Sequence, residues 1–282
     1  MAAEPERKGR RLHRGTVLRT ERLAPHMIRV VLGGPGLAEF GAGEFTDHYV
    51  KLLFPRPDVA YPEPFDMERV RAELPREQWP STRTYTVRAW DAETRELTID
   101  FVYHGDTGLA GPWAANARPG DEILFNGPGG AYAPRPGAGW HLLAGDESAL
   151  PAIAAALERV PDGAAARVFV EVAGPEEEQR LPAPAGAEIV WLHRGAGRVG
   201  DLLVEAVQKL DFPAGEVHAF VHGEAGFVKA LRRHLRVERG VPLDQLSISG
   251  YWRRGRDEDG WQSGKRDWNR QVEQEEAAAL QG

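Results

Sequence analysis

The chain has 282 residues, 42% of them hydrophobic and 27% charged, which is enough for one large or two ordinary domains with a substantial core. Its net charge of -7 argues against general nucleic-acid binding, which usually requires a basic surface. The sequence contains no cysteine, which excludes disulfides, thiolate nucleophiles and zinc or iron–sulfur centres held by cysteine. We therefore expect no resident metal, and any electron transfer must use an organic cofactor or a partner.

The first residues are basic but lack the apolar run that a signal peptide requires. We therefore expect a flexible basic tail over residues 1–12. No segment of the sequence reaches the length of a transmembrane helix, so we expect no membrane insertion. These features favour a cytoplasmic protein, which we expect to be a monomer.

The next part of the chain, residues 13–135, is predicted to be a β domain. Several of its apolar segments alternate apolar with polar side chains, as half-buried antiparallel strands do. Six short strands separated by turn residues favour a closed antiparallel barrel. They are predicted at residues 12–19, 27–32, 48–54, 83–90, 96–103 and 121–125. Residues 55–80 form a long charged, proline-containing connection, either functional or merely solvated, with a short helix near residues 68–73.

The pattern of predicted elements changes in residues 136–282, where apolar strands alternate with helical segments. Such alternation predicts an α/β domain of the nucleotide-binding type, with a parallel sheet. Strands are predicted at residues 140–144, 167–173, 188–193, 217–222 and 246–251, and helices at residues 148–160, 200–210 and 224–238. The domain ends in an extension rich in Arg and Trp, and after residue 271 we expect a short acidic helix or a frayed tail.

The stretch Arg83-Thr-Tyr-Thr-Val-Arg88 presents a cation, an aromatic ring and hydroxyls on one strand. Asp100-Phe-Val-Tyr-His-Gly105 and Gly108-Leu-Ala-Gly-Pro-Trp113 follow it, and the second of these offers open backbone. A ring can stack on an isoalloxazine, and backbone amides in turns bind phosphate oxygens. These residues predict a flavin site. The alternative is an ordinary barrel strand with an aromatic residue in the core.

Two further motifs stand at strand ends of the α/β domain, where ligands of open α/β sheets bind. They are Gly145-Asp146-Glu147-Ser148 and His222-Gly223-Glu224. The carboxylates would repel a diphosphate, so the motifs suit transient nicotinamide docking, or closure over a flavin, better than tight dinucleotide storage. The alternative is two helix starts with acidic residues favoured by the helix dipole.

In this order the motifs resemble those of the siderophore-interacting protein family, FAD-dependent ferric-siderophore reductases of the ferredoxin–NADP reductase superfamily. The resemblance extends from about residue 13 to residue 265. It rests on Val50-Lys-Leu-Leu-Phe54, Arg83-x-Tyr-Thr-x-Arg88, Asp100-Phe-Val-x-His-Gly105, Gly127-Pro128, Gly145-Asp-Glu-x-Ala-Leu-Pro-Ala152, His222-Gly-Glu224 and Gly250-Tyr-Trp-Arg253.

The resemblance implies roles for these residues in FAD binding. Arg83 would bind the pyrophosphate, Tyr85 would stack on the isoalloxazine, and Thr86 would bond near its reactive edge. Where Gly111 stands, the family commonly has serine, so phosphate binding here would depend more on backbone amides and Arg83. The residues assigned to FAD are Arg83, Thr84, Tyr85, Thr86, Asp100, Phe101, Val102, His104, Gly108, Ala110, Gly111 and Trp113.

Basic residues near the flavin would bind the anionic ferric siderophore, and we assign Lys51, Arg253, Arg254 and Lys265 to this role. A solvated, docked helix is the alternative for the last three. The implied reaction passes electrons from NADH or NADPH through FAD to Fe(III), releasing Fe(II). Three alternatives stay open: ferredoxin as donor, a general flavin or ferric-chelate reductase, and a siderophore-binding protein without turnover.

Overall fold

The computed structural model describes residues 11–281, so the expected basic tail lies outside the described residues except for its last two positions. Within residues 11–281 the chain forms a seven-stranded antiparallel sheet followed by a five-stranded parallel sheet. This confirms the expected order of a β domain and an α/β domain, with seven strands in place of the predicted six. The strands and helices of the first unit are β1 (Leu12–Ala24), β2 (Met27–Gly33), β3 (Tyr49–Phe54), α1 (Met67–Glu73), β4 (Ser81–Thr86), β5 (Ala89–Asp91), β6 (Glu96–Val102), α2 (Ala110–Asn116) and β7 (Glu122–Gly129).

The extra strand arises because the single strand predicted at residues 83–90 is bent into β4 and β5. The order in the sheet is β4-β3-β7-β1-β2-β6-β5, so β4 and β5 form its two opposite edges. At the bend, the N–H of Val87 donates to His48 O at 2.6 Å, and the N–H of Arg88 donates to Thr98 O at 2.9 Å. One continuous segment, residues 81–91, therefore joins both edges and closes the sheet into a barrel.

Alternation along β6 separates the barrel interior from its outer surface. Leu97, Ile99 and Phe101 are fully buried in the barrel core. Side chains of this size stabilise the fold by about 1.5–3 kcal/mol each when fully buried. The intervening residues Asp100 and Val102 face outward, and Val102 packs against the core of the second unit.

The second sheet places its first strand in the middle. It consists of β8 (Trp140–Asp146), β9 (Ala165–Val172), β10 (Ala187–His193), β11 (Val217–Glu224) and β12 (Leu246–Trp252), with helices α3 (Leu150–Leu157), α4 (Asp201–Gln208) and α5 (Ala225–Arg233). All neighbouring strands are parallel, in the order β10-β9-β8-β11-β12. The chain leaves β8 on one side and returns on the other, which creates a crevice at the carboxyl ends of β8 and β11.

The two units share a hydrophobic core. Met27 from the β1–β2 hairpin and Tyr132 from the segment after β7 pack with side chains of α3 and β8. A hydrogen bond reinforces this contact, because His26 Nδ1 lies 2.5 Å from a carboxylate oxygen of Glu177, a residue that is itself buried. The barrel is therefore fixed against the parallel sheet by both apolar and polar contacts.

The C-terminal extension differs from its prediction, because it forms one 24-residue helix, α6 (Glu258–Gln281), and not a short helix after residue 271. Trp261 and Val272 are buried, and with Lys265 and Trp268 they recur at the three- and four-residue spacing of one helix face. Because the stripe is narrow and charged residues surround it, the sequence pattern did not predict this helix. Despite this length, none of the helices within residues 11–281 is long and apolar enough to cross a membrane.

Ion pairs fix the second half of α6 to the helix before it. Glu276 accepts from the Nε atoms of Arg232 and Arg236, at 2.6 and 2.9 Å. Arg236 lies in a π-helical turn, His234–Glu238, which follows α5 where the sequence predicts a continuous α-helix. Both guanidiniums are largely buried, so their interaction with Glu276 is screened less than a surface pair would be.

Buried histidines make the folded state sensitive to acid. Burial lowers the pKa of His218 to about 4 and that of His222 to about 3, and it also lowers the pKa of His141. Below pH 6.5 the unfolded chain binds protons that the folded chain excludes, so stability falls as the pH falls. Each such histidine costs up to about 1.4 kcal/mol per pH unit. The raised pKa of Asp146, about 6, and the raised pKa values of Glu171 and Glu258 act in the opposite direction, whereas the lowered pKa values of His13 and His104 add to the histidine effect.

We expect the melting temperature to decrease from pH 7.5 to pH 5.5, measured by calorimetry in buffers of equal ionic strength. A melting temperature that stays constant across this range would contradict the neutral state of these histidines.

Candidate functional site

The predicted site residues lie around the outer edge of β4, the loop before α2 and the crevice between β8 and β11. The start of α6 connects these regions. Its first residue, Glu258, touches β4, and Lys265, two turns later, lies near both Lys51 on β3 and His222 on β11. The flavin, nicotinamide and substrate residues named from the sequence are thus close to one another in the fold.

The cation of the flavin motif is held by two carboxylates of α6. Arg83 is only 16% exposed, and its Nη1 donates to Asp259 Oδ2 at 3.3 Å. The N–H of Thr84 points away from β3 and donates to Glu258 Oε1 at 2.9 Å. The outer edge of β4 therefore offers a guanidinium and a backbone donor to anionic oxygens.

The aromatic residues of the motif form a continuous packed group. The ring centroids of Tyr85 and Phe101 lie 4.4 Å apart, and those of Phe101 and Trp113 lie 5.6 Å apart. Burial, with the nearby Glu258 carboxylate, raises the pKa of Tyr85, so its hydroxyl stays protonated. Thr86 is also buried, at the bend that leads to β5.

The side chain of Asp100 is bound to another residue of the barrel and not directed to a cofactor site. Its carboxylate accepts two hydrogen bonds from Arg29 on the neighbouring strand, at 2.7 and 2.8 Å. Such a bidentate pair is among the stronger polar contacts in proteins. The Asp100 side chain is thus used within the barrel wall, which leaves the backbone groups of Asp100 for a cofactor.

The loop before α2 is open where glycine is required. Gly105 and Gly108 have φ values of +66° and +85°, and a Cβ on either would meet no atom within 4 Å. Gly111 is different, because a Cβ there would lie 3.1 Å from Val102 O. Glycine at this position lets α2 lie close to β6, beside the buried Ala110.

His104 lies where the barrel approaches the second unit. Burial lowers its pKa, while the nearby Glu147 carboxylate acts in the opposite direction. Glu147 itself is paired with Arg194, with Nη2 2.5 Å from a carboxylate oxygen and both side chains largely buried. His104 is therefore a neutral imidazole beside a compensated ion pair.

Asp146 holds the crevice together. It is fully buried and accepts four hydrogen bonds: from the N–H and hydroxyl of Ser148 at 2.9 and 2.5 Å, from the N–H of Glu224 at 2.9 Å, and from the indole N–H of Trp252 at 2.8 Å. These donors follow or end β8, β11 and β12. Burial raises the pKa of Asp146 to about 6, although the hydrogen bonds oppose the shift. Its charge is enclosed and does not line the crevice.

Two glycines allow the strand ends to approach. A Cβ on Gly145 would lie 2.7 Å from His222 O, and one on Gly223, with φ +138°, would lie 2.7 Å from Asp146 Cγ. Neither position tolerates a side chain without displacing the backbone or the carboxylate. Bare backbone at the crevice is what close approach of a dinucleotide requires.

The remaining nicotinamide candidates are also engaged within the protein. Glu224 accepts from the N–H groups of Gly226 and Phe227, which caps α5, and from the N–H of Arg254. His222 contacts Ser247 Oγ through Nε2 at 2.9 Å. Its ring stacks on a neighbouring phenylalanine and is neutral, because burial and the nearby Lys265 lower its pKa to about 3.

The cations assigned to the substrate separate into two pairs. Burial lowers the pKa of Lys265, and the charge of Lys51 lowers it further, so these two lysines lie near each other. Lys51 lies opposite Thr84 in the β3–β4 register, directly beside the flavin motif. Arg253 and Arg254 are exposed on the turn after β12.

Sequence reasoning missed several residues that shape this region. Glu258 and Asp259 were not singled out, because acidic residues at a helix start are common and their contact with β4 spans the whole chain. Arg29 was missed for a different reason, since its partner is set by strand register. Trp252 was noticed only as part of a motif, and nothing in the sequence indicates that its indole binds Asp146.

Two family models match the chain. Residues 16–132 match the siderophore-interacting FAD-binding domain, and residues 138–255 match the siderophore-interacting protein model. Among solved structures, a siderophore utilization protein from T. fusca has a TM-score of 0.76 and 41% identity, covering 88% of this chain and 94% of that one. The fold and its flavin motif define a FAD-dependent oxidoreductase.

Curated relatives agree with this assignment. An uncharacterized protein of Mycobacterium tuberculosis is 50% identical over 283 residues, covering 95% of this chain and 98% of that one. The ferric vibriobactin reductase of Vibrio cholerae is 35% identical (86% and 90% covered), and the NADPH-dependent ferric-chelate reductase of Escherichia coli is 34% identical (84% and 91% covered). The chain belongs to the siderophore-interacting protein family, as its motifs indicated.

Replacing Asp146 tests its role as the bond between the strand ends. Asp146→Asn keeps the shape but turns an NH2 group toward at least one of the four donors. We expect a loss of about 1–3 kcal/mol in the free energy of unfolding, measured by urea denaturation at pH 7.5. Ser148→Ala, which removes one of the four bonds, serves as the control and should cost less. Equal stability of Asp146→Asn and the unaltered chain would contradict this role.

Proposed function

We propose that this protein is a cytoplasmic, monomeric ferric-siderophore reductase that takes electrons from NADPH or NADH and delivers them to Fe(III) in a siderophore, releasing Fe(II). The observation that carries the proposal is the Lys51–Lys265 pair. Lys51 pairs with Thr84 of the flavin motif across β3 and β4, and its charge lowers the pKa of the nearby Lys265, in a chain whose relatives include two ferric reductases. Such an arrangement suits an anionic iron chelate.

The residues of the barrel fit the FAD that the family uses. The Arg83 guanidinium and the Thr84 N–H already bind carboxylate oxygens, which are anionic acceptors as phosphate oxygens are. Gly105 and Gly108 leave the next loop open. We assign the pyrophosphate to Arg83 and to backbone amides of residues 108–111, and the isoalloxazine to Tyr85 and Thr86.

Bound FAD supplies the exchange between a two-electron nicotinamide donor and a one-electron iron acceptor. The protein contributes position and charge. Lys51 and Lys265 offset the charge of the chelate, and chelate binding in turn stabilises the protonated form of Lys265, whose pKa burial lowers. No side chain needs to act as an acid or base on the iron, because Fe(II) binds hard oxygen donors less strongly than Fe(III).

The nicotinamide donor would bind in the crevice between β8 and β11. There Gly145 and Gly223 supply bare backbone. The side chains of Asp146, Ser148 and Glu224 keep the strand ends in place by internal hydrogen bonds, so we assign them positioning roles. The Escherichia coli relative is named as NADPH-dependent, which supports a nicotinamide over ferredoxin.

An anaerobic experiment tests the whole proposal. The purified chain is loaded with FAD, reduced with NADPH, NADH or reduced ferredoxin, and then mixed with ferric citrate, a ferric hydroxamate or a ferric catecholate. We expect reduction by a nicotinamide and reoxidation by a ferric siderophore with Fe(II) captured by ferrozine. Fast reoxidation by citrate alone would favour a general ferric-chelate reductase. Chelate binding by a chain that takes up no FAD would identify a binding protein.

Lys51→Ala tests the substrate assignment. Loss of one charge-assisted contact with the chelate should lower kcat/KM for the ferric siderophore about tenfold, while FAD occupancy at 450 nm is unchanged. Lys51→Arg should retain most activity, and Lys209→Ala, at an exposed site directly after α4, is the matched control. Loss of flavin from Lys51→Ala would contradict the assignment.

A further inference from the structure

The first turn of α6 binds the place on β4 that we assign to the FAD pyrophosphate. Glu258 Oε1 accepts from the N–H of Thr84 at 2.9 Å, and its Oε2 lies 3.8 Å from Arg83 Nε. Asp259 Oδ2 lies 3.3 Å from Arg83 Nη1. Two carboxylates from a distant part of the chain thus converge on one guanidinium and one backbone donor.

The contact suits an anion, but burial makes the charged form of Glu258 less favourable than it would be in water. Burial raises the pKa of Glu258, and the Thr84 N–H and the Arg83 charge act against this shift. The carboxylate is therefore kept in a partly desolvated site by the same donors that would bind phosphate oxygens. Asp259 is 61% exposed and adds charge at little cost of desolvation.

We propose that Glu258 and Asp259 act as an internal anion, which occupies the Arg83–Thr84 site in the flavin-free protein and which the pyrophosphate of FAD displaces. This inference rests on the proposed assignment of Arg83 to FAD. A guanidinium cannot donate its best-oriented bonds to both sets of oxygens at once, so FAD binds only after the carboxylates turn away.

The rest of α6 is fixed, so the displacement is local. The Trp261 ring, only 2% exposed, packs over Gly250, where an added Cβ would lie 3.1 Å from Trp261 Cζ2. Glu276 is held by two arginines at the far end. The segment before the helix includes Gly255, with φ +76°, in an open turn. Movement of the first turn and its side chains is sufficient.

The expected consequence is that the chain binds FAD less tightly than it would if no carboxylate occupied the Arg83–Thr84 site. Removing the charge of Glu258 while keeping its shape should free Arg83 for the pyrophosphate. For Glu258→Gln, we expect FAD to bind about three- to tenfold more tightly. Asp259→Asn should give a smaller gain because that carboxylate is exposed, and the double variant should bind most tightly.

The test measures dissociation constants of the flavin-free chain by titration calorimetry, for FAD, ADP and riboflavin. ADP carries the pyrophosphate without the isoalloxazine, and riboflavin carries the ring without phosphate. If the carboxylates compete with phosphate, Glu258→Gln tightens FAD and ADP but leaves riboflavin unchanged. Glu273→Gln, at an exposed site on the same helix, is the matched control and should change none of the three.

A second comparison asks whether Glu258 acts through Arg83. In an Arg83→Gln background, Glu258→Gln should no longer tighten FAD, whereas persistent tightening would overturn the inference. Equal tightening of riboflavin, or no change for any ligand in a variant with an unaltered melting curve, would overturn it as well. If the unaltered chain takes up no FAD at all, the proposed function fails instead, and the two failures are thus distinguishable.

Discussion

The arrangement of the site depends on one enclosed carboxylate. Asp146 joins the ends of β8, β11 and β12 through donors on three separate segments, including the indole of Trp252. Trp252 ends β12, and the turn that follows it leads into α6. The start of α6 in turn places Glu258 beside Arg83 and Lys265 near Lys51. The enclosed carboxylate and the contacts of α6 with the barrel are thus joined by one short segment of chain, residues 252–258.

Backbone groups and acidic side chains have different roles around the site. At the crevice and in the loop before α2, glycines leave the main chain bare, while nearby acidic side chains are used for internal hydrogen bonds. Lys51 and Lys265 lie near the flavin motif, and the charge of Lys51 lowers the pKa of Lys265. The carboxylates of Asp146, Glu224 and Glu258 each accept hydrogen bonds from internal donors.

Much of the fold was predictable because its signals are local. Alternating strands, the change to strand–helix rhythm and the flavin motif at Arg83 all depend on short stretches of sequence. The bend at Val87 was not predictable, since it is imposed by pairing with both edges of the sheet. The same holds for α6, whose apolar face is narrow, and for Asp146, whose partners Glu224 and Trp252 are remote in sequence.

The bent segment 81–91 closes the barrel, but among the strands of residues 11–281 none pairs with the outer side of β4. An open strand edge is a template for pairing with another chain, and natural proteins cover or charge such edges. Glu258 bonds the Thr84 N–H on that side, and α6 lies over it. In the flavin-free protein, the first turn of α6 thus also occupies a backbone donor through which β4 would otherwise pair with a strand of another molecule.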